Sequence, residues 1–175
     1  MGRDENGIVW SLGGDPFRCL LPGKPGPDSI VPASVFGHET MSGETDLSTL
    51  LQTLSPRLDP EHYVFCSVTG VGYGAFAHLN PRACFREDEG LTLVLTQAHA
   101  SAEGLSYDGC FQCITLEAHS SLLAVGLTAA LSTQLATAGI SANIIAGFYH
   151  DHVFVPMDDA LRAMAVLQAM AEISV

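Results

Sequence analysis

The residues whose side chains are best suited to binding are His119, Ser120 and Ser121, which lie between a predicted strand and a predicted helix. A serine at a helix N-terminus accepts hydrogen bonds from the free backbone N–H groups of the first turn. The same N–H groups bind anions, and an α-carboxylate suits them well. This turn therefore predicts either a carboxylate-binding site or a serine that merely caps its helix, and the residues alone leave both open.

A C-x-x-C pair, Cys110 and Cys113, has a spacing found in redox centres and zinc sites. Redox pairs lie at helix N-termini, where the dipole lowers a thiol pKa. These two begin a predicted strand, and residues three apart on a strand point to opposite faces. No second C-x-x-C completes a metal cage, so we interpret both as small apolar strand residues.

His150, Asp151 and His152 have side chains that bind transition metals, at a predicted hairpin turn. Three consecutive residues do not close a tetrahedral site, and further ligands would have to come from His119 or a partner chain. Asp is favoured in turns for its local hydrogen bonds. We therefore predict no metal and no cofactor, and a metal- or thiol-dependent enzyme is the least favoured alternative.

The segment Gly70–Ala75 has the letters of a dinucleotide fingerprint, G-x-G-x-x-A. That mechanism needs a long helix whose N-terminus holds the pyrophosphate, and Pro81 leaves no room for one. We interpret the segment as a flexible glycine loop. Because no catalytic triad or pair of carboxylates can be argued either, we predict that the protein is not an enzyme.

Around the His119 turn the chain alternates between strand and helix patterns. Strands are predicted at Ile114–Ala118, Asn143–Tyr149 and His152–Val155, with helices over Leu122–Ala138 and from Asp158 onward. Asn143–Tyr149 is apolar on both faces, which is typical of a central strand.

The long helix is predicted from its leucines, which recur every four residues at Leu123, Leu127, Leu131 and Leu135. Gly139, followed by an isoleucine, is a stop signal because glycine readily takes the left-handed conformation that ends helices.

The first half shows the same order of elements. Asp46 begins a short helix, Tyr63–Val68 is a strand, Ala83–Arg86 and a second strand at residues 91–95 form a hairpin, and Gln97–Glu103 is helical. The repeated order is that of a ferredoxin-like unit. The second half lacks its sixth strand, whose place is taken either by a strand of the first half or by another subunit.

Three segments of the sequence resemble a known family. HSSLLAVGLTAALSTQLATAGISANIIAGFYHDHVFVP, GETDLSTLLQTLSPRLDPEHYVFCSV and FREDEGLTLVL resemble a small bacterial family with two ACT units in one chain. More distantly, the chain is similar to the regulatory domains of aspartate kinase and to the cytosolic arginine sensor of animals. The resemblance implies an α+β fold of two ferredoxin-like (βαββαβ) ACT units, with antiparallel sheets covered by helices on one face. We place the units at residues 41–108 and 109–175.

In the families that the chain resembles, small effectors, commonly amino acids, bind at the strand-to-helix turn, and the facing wall is the second strand of a neighbouring unit. Carried over to this chain, the implied ligand-binding residues are His119, Ser120, Ser121, Leu122, Val125, Gly126, Asn143, Ile144, Ile145 and Ala146. The resemblance thus implies a regulatory protein that binds an amino-acid-like ligand and acts on a partner enzyme. The strand edges and small-residue helix faces predict a homodimer. A ligand-free interaction scaffold is the main alternative.

The charge balance excludes two classes of partner. The chain has 7 basic and 19 acidic side chains, and from Met41 onward it has no lysine. Such a surface does not neutralise a run of phosphates, so we expect no nucleic-acid or membrane partner. The five cysteines show no disulfide pattern and no signal peptide precedes them, which predicts reduced thiols in the cytoplasm.

Residues 1–40 have a different composition, rich in proline and glycine and without helical or strand periodicity. Such a segment buries too little apolar surface to offset its ordering entropy, so we expect a mobile arm. We hypothesise that Met41 is the natural start of the protein.

Overall fold

The computed structural model describes residues 43–173 and two short strands near the N-terminus. These strands, β1 (Gly2–Arg3) and β2 (Val9–Trp10), pair antiparallel. The chain divides into two compact units, Met1–Thr40 and Met41–Val175. Apart from β1 and β2, the predicted mobile arm of residues 1–40 lies outside the described residues.

The larger unit is built on one antiparallel sheet of six strands. The strands are β3 (Pro56–Val68), β4 (Ala83–Arg86), β5 (Leu91–Thr96), β6 (Phe111–Leu116), β7 (Asn143–Ala146) and β8 (Asp151–Pro156). The helices are α1 (Leu47–Gln52), α2 (Gln97–Ala102), α3 (Leu127–Thr137) and α4 (Ala160–Ile173), with 3-10 turns at Ala77–Leu79 and Met157–Asp159. The sheet order is β4-β5-β3-β6-β8-β7. This architecture confirms the predicted α+β fold of two ferredoxin-like units, which share a single continuous sheet.

Strand β3 joins the two ferredoxin-like units, because it is long enough to pair with β5 on one side and with β6 on the other. Its first residues, Pro56 to Leu58, pair with β6, and its last, Tyr63 to Val68, pair with β5. The register shifts between Leu58 and His62, around Pro60. Proline is tolerated at the first residue of a strand and at bulges, which explains why both prolines fit here. The place of the missing sixth strand is therefore taken by the start of β3, from the first half of the chain.

The main core lies between this sheet and the helices. On the β6–β8 side, leucines of α1, α3 and α4 pack on the strands, and a smaller cluster lies under α2. The fully buried core leucines of these helices are Leu50, Leu131, Leu135 and Leu167. Burying one such side chain contributes about 1.5–3 kcal/mol, so α3 is held mainly by its leucine stripe.

The predicted end of α3 is confirmed. Gly139 has φ 72°, and the N–H of Ile140 donates to the carbonyl of Leu135 at 2.9 Å. A second bond at 2.9 Å runs from the N–H of Gly139 to the carbonyl of Ala136. This is the left-handed glycine stop that the sequence predicts.

The opposite face of the sheet carries an aromatic cluster. Phe154 meets the rings of Tyr63 and Phe65 edge to face, at centroid distances of 5.7 and 5.5 Å, and Phe65 meets Phe111 at 5.3 Å. Edge-to-face pairs add about 0.5–1.5 kcal/mol beyond burial. Among the described residues, no helix is long and apolar enough to cross a membrane.

Candidate functional site

The loop between β6 and α3 is longer than the sequence predicts. The predicted helix start next to Ser121 is wrong, because α3 begins at Leu127 with Gly126 as its N-cap. Gly126 has φ 101°, a conformation that disfavours any other residue, and no side chain caps the helix. Residues 117–126 therefore form a loop, and Leu123 belongs to this loop instead of the buried stripe.

The hydroxyl of Ser120 is used inside the protein and does not cap the helix. It donates to Oδ2 of Asp151 at 3.2 Å, and both residues are 9 % exposed. The hydroxyl of Ser121 accepts from the N–H of Leu123 at 3.2 Å, a local turn bond. The sequence indicates Asp151, at the start of β8, only as a turn residue or a metal ligand, and not as a partner of Ser120. No local signal points to this pairing, because it spans 31 positions.

A short extended segment, residues 43–45, pins the loop from the other side. Glu44 forms an isolated parallel bridge with Ser120. Its N–H donates to the carbonyl of His119, and its carbonyl accepts from the N–H of Ser121, both at 2.9 Å. Gly43 lies so close that an added Cβ would be 2.5 Å from the backbone nitrogen of Ser121. The backbone of the predicted turn is therefore already hydrogen bonded at Ser121.

An apolar rim surrounds the outer side of the loop. Leu122, Leu123 and Val125 are 63 %, 85 % and 84 % exposed. Phe148 and Tyr149, in the turn between β7 and β8, are also exposed. The ring of Tyr149 lies 5.6 Å from that of His119, which links the turn to the loop. These five apolar residues form a surface that we call the loop rim.

The predicted facing strand, Asn143–Ala146, is β7. It is an edge strand, not the central strand that its apolar sequence predicts, because among the described strands it pairs only with β8. Ala146 pairs with Asp151, which binds Ser120, so this end of β7 lies beside the loop. Asn143 pairs with Phe154, about 10 Å further along the strand. Within a single chain, Ala146 therefore lies beside the loop, whereas Asn143, at the other end of β7, lies away from it.

The first turn of α3 has open backbone donors beside a cavity. The N–H groups of Leu127, Thr128 and Ala129 have no intrahelical acceptor, as in any helix, and no side chain of the described residues caps them. A cavity of about 670 Å³ begins at Gly126 and runs along α3. Small and apolar side chains dominate its walls, which come from α1, α3 and α4: Leu47, Leu51, Ala129, Ala130, Ala138, Val166, Ala169 and Met170.

The His150–His152 triplet does not converge. Asp151 pairs with Leu116 on the face that carries the helices, and His152 pairs with Thr115 on the other face. Nδ1 of His152 lies 3.0 Å from the hydroxyl of Thr115. Burial lowers the pKa of His152, and the positive charge of Arg82 lowers it further. Across residues 43–173, no three His, Cys, Asp or Glu side chains are grouped to hold a metal ion.

The cysteine pair is split between the two faces of the sheet, as the strand geometry predicts. Cys113 belongs to the aromatic face, whereas Cys110 packs against the cluster under α2. Burial raises the pKa of the Cys113 thiol to about 11, the opposite of what an activated thiol requires. The glycine segment that begins at Gly70 is a loop followed by the 3-10 turn Ala77–Leu79, with no long helix.

Comparison with known proteins agrees with this geometry. Models described as ACT domains match residues 42–112 and residues 111–169. A Vibrio cholerae protein of unknown function, described as a possible transport protein, is 50 % identical, with TM-score 0.66, over 71 % of this chain and 95 % of that one. No curated protein matches the chain at a significant level.

Two more distant structures show the fold. The aspartokinase alpha and beta subunits are 15 % identical, with TM-score 0.51, over 66 % of this chain and 96 % of theirs. The ligand-free regulatory subunit of aspartate kinase from Thermus thermophilus is 9 % identical, with TM-score 0.50, over 67 % of this chain and 98 % of its own. Two successive ACT matches on one continuous sheet show that this chain belongs to the ACT-domain family, as a small tandem ACT protein.

Proposed function

We propose that this protein is a regulatory sensor that binds an amino-acid-like ligand at the loop between β6 and α3. The observation that carries the proposal is the uncapped N-terminus of α3 at Gly126, which opens beside the cavity along that helix. The regulatory character of ACT domains supports the same conclusion.

In this proposal, the ligand carboxylate accepts hydrogen bonds from the first N–H groups of α3. A helix N-terminus stabilises an adjacent negative charge by about 0.3–1 kcal/mol at an exposed site. The apolar part of the ligand then contacts the start of the cavity, where Gly126 and Ala129 leave space. The formal net charge of −12 disfavours polyanions, and a zwitterion is tolerated better.

The second wall of the site comes from another copy of the chain. The predicted facing residues, Asn143 to Ala146, form an edge strand with an open side, and such edges pair readily with another chain. The loop rim is apolar and exposed next to this edge, so a symmetric contact would cover both. We therefore propose a homodimer in which β7 of one copy faces the loop of the other, with His119, Ser120, Ser121, Leu122 and Val125 along that loop.

The output of the sensor is a change in affinity for a partner enzyme in the cytoplasm, since we propose no catalysis by this chain. Ligand and partner affinities are then coupled reciprocally, typically by 1–3 kcal/mol. A ligand-free scaffold that assembles through the same surfaces is the competing account.

A thermal-shift panel of the full chain against the twenty amino acids tests the proposal. A ligand at about 100 times its dissociation constant stabilises by about 2.7 kcal/mol, a shift on the order of 5–10 °C for a domain of this size. Ala129→Asp adds a negative charge in the first turn of α3, where the exposed Ala129 lines the cavity beside the proposed carboxylate position.

We expect Ala129→Asp, which lies outside the loop that faces the partner, to abolish the ligand-induced shift and leave the dimer intact. Ser132→Asp, an exposed substitution further along α3, is the matched control and should retain the shift. A flat panel with an intact dimer in size-exclusion chromatography would favour the scaffold.

A further inference from the structure

The face of the sheet opposite the helices holds an arginine, Arg82, with one hydrogen bond and one long ion pair from its guanidinium to the described residues. Arg82 precedes β4, and its N–H donates to the carbonyl of Val94 at 2.8 Å, so its backbone is fixed to the sheet. Its guanidinium makes one long hydrogen bond, 3.4 Å from Nη2 to the hydroxyl of Thr115. Nη1 lies 3.8 Å from Oδ2 of Asp59, which is beyond hydrogen-bond distance.

Both neighbours of this guanidinium are already bound to other groups. Asp59 accepts from the hydroxyl of Tyr63 at 3.1 Å and from the N–H of Glu61 at 3.0 Å. Thr115 is also hydrogen bonded to His152. A guanidinium has five N–H donors, so Arg82 keeps most of its donors open among the described residues. Its side chain as a whole is 33 % exposed.

Arg82 also lines a second cavity, of about 300 Å³. It lies between the end of β5 and the turn before β4, and it is lined by Tyr63, Asn80, Pro81, Arg82, Thr96 and His99. Asn80 is in the left-handed conformation, with φ 48°, and is the one residue other than glycine with positive φ in the described part of the chain. This turn directs the chain into β4 and places Arg82 beside the cavity.

We propose that this cavity is a second ligand site, and that Arg82 binds a small monocarboxylate there. A planar carboxylate matches the two parallel N–H donors of a guanidinium. The volume lies at the lower end of small-molecule sites, which limits the ligand to a few heavy atoms. The proposal does not depend on the amino-acid site at α3, since none of the residues that line this cavity belongs to the loop between β6 and α3.

The charges around Arg82 favour a monocarboxylate over phosphate. The Arg82 guanidinium is the only permanent positive charge in the lining, and Oδ2 of Asp59 lies 3.8 Å from its Nη1. A doubly charged anion would be repelled by Asp59 without a second cation to offset the repulsion. The hydroxyl of Thr96 and the ring of His99 also line the cavity and offer further hydrogen-bond donors to the carboxylate.

The test is a titration of the full chain with acetate and propionate, followed through the Nε–H signals of its arginines in NMR spectra. Arg82→Gln identifies the Arg82 signal by its disappearance, and Arg86→Gln is the matched control. Replacing Arg86, which lies on β4, removes the same charge. Its Cζ lies 4.9 Å from the centroid of the Tyr73 ring, and Arg86 does not line the cavity.

We expect the Arg82 signal to shift and saturate with acetate or propionate at concentrations up to about 10 mM. Arg82→Gln should weaken binding, measured by shifts of the backbone amides of Thr96 and His99, by roughly tenfold or more. Arg86→Gln should bind as the unmodified chain does. Arg82→Lys keeps the charge without the planar donors and should bind more weakly than the unmodified chain.

Three results would overturn the proposal. They are an Arg82 signal that does not move with either carboxylate, binding that survives Arg82→Gln, and inorganic phosphate binding more tightly than both carboxylates. Thermal melts of the variants show whether each is folded; if Arg82→Gln does not fold, Arg82→Lys alone decides, and unweakened binding by it counts against the proposal.

Discussion

Replacing Gly43 with alanine should release residues 43–45 from the loop that carries Ser120. The added Cβ would lie 2.5 Å from the backbone nitrogen of Ser121 and 2.6 Å from the backbone carbon of Ser120. Neither atom belongs to a flexible side chain, so the two segments must separate. Two backbone hydrogen bonds, both 2.9 Å long, join Glu44 to His119 and Ser121 and are lost with the contact.

Each of these bonds contributes about 0.5–1.5 kcal/mol, so Gly43→Ala should lower the free energy of unfolding by roughly 1–3 kcal/mol. A loss of about 2 kcal/mol corresponds to a fall in Tm of roughly 4–8 °C for a chain of this length. Urea denaturation of the full chain measures the loss directly. Amide hydrogen exchange should show that the Ser121 N–H becomes less protected.

Gly72→Ala is the control for this substitution, because no atom lies within 4 Å of the added Cβ. Its φ is not positive either, so we expect a change below about 0.5 kcal/mol. If Gly43→Ala matches Gly72→Ala in stability and the Ser121 amide stays protected, the pinning of the loop by residues 43–45 is refuted.

Three further outcomes follow from the packing and the buried groups. Leu131→Ala should lower the free energy of unfolding by about 2–5 kcal/mol in urea, whereas exposed Ser132→Ala should change it by less than about 0.5 kcal/mol; equal effects would contradict the α3 packing. Because burial lowers the pKa of His152, the folded chain takes up fewer protons than the unfolded chain as the pH falls below about 6.5, so stability should fall there, and less steeply in His152→Gln. Identical pH profiles in urea would contradict this assignment. Because burial raises the pKa of the Cys113 thiol to about 11, alkylation at about pH 8 should spare Cys113 and modify the half-buried Cys110. Peptide mapping that finds Cys113 modified first would contradict its burial.

Local signals in the sequence were sufficient for much of the fold. Asp46 caps α1 by accepting from the N–H of Thr49 at 2.8 Å, and Gly139 ends α3 as predicted. Both depend on bonds within a few residues, which residue types specify directly. The period of the leucines likewise placed Leu131 and Leu135 in the core.

Long-range contacts explain the failures. Leu123 continues the leucine spacing, yet it is 85 % exposed, because the loop is held by Glu44 and Asp151 from distant parts of the chain. A single Gly126 inside an apolar helical pattern is ordinarily tolerated, so the sequence did not mark it as the start of α3. The first part of β3 was not predicted, because Pro60 indicates a break in a strand. The bulge that accommodates this proline depends on pairing with β6.

The candidate sites were predictable to different degrees. The resemblance pointed to six residues between His119 and Gly126 and to Asn143–Ala146, whereas the open donors lie slightly further along than Gly126, at the start of α3. The Arg82 cavity was not predicted, because it depends on a turn that brings a residue of the first unit beside Asp59 and Thr115. The only signal was an isolated arginine before a strand in an acidic chain.

The most direct test of the sensor proposal is an amide NMR titration of the full chain with each of the twenty amino acids. We predict that at least one amino acid shifts the backbone amides of Leu127, Thr128 and Ala129 in a saturable way, with smaller shifts at the aromatic face of the sheet. A panel in which no amino acid moves these three amides would contradict the account.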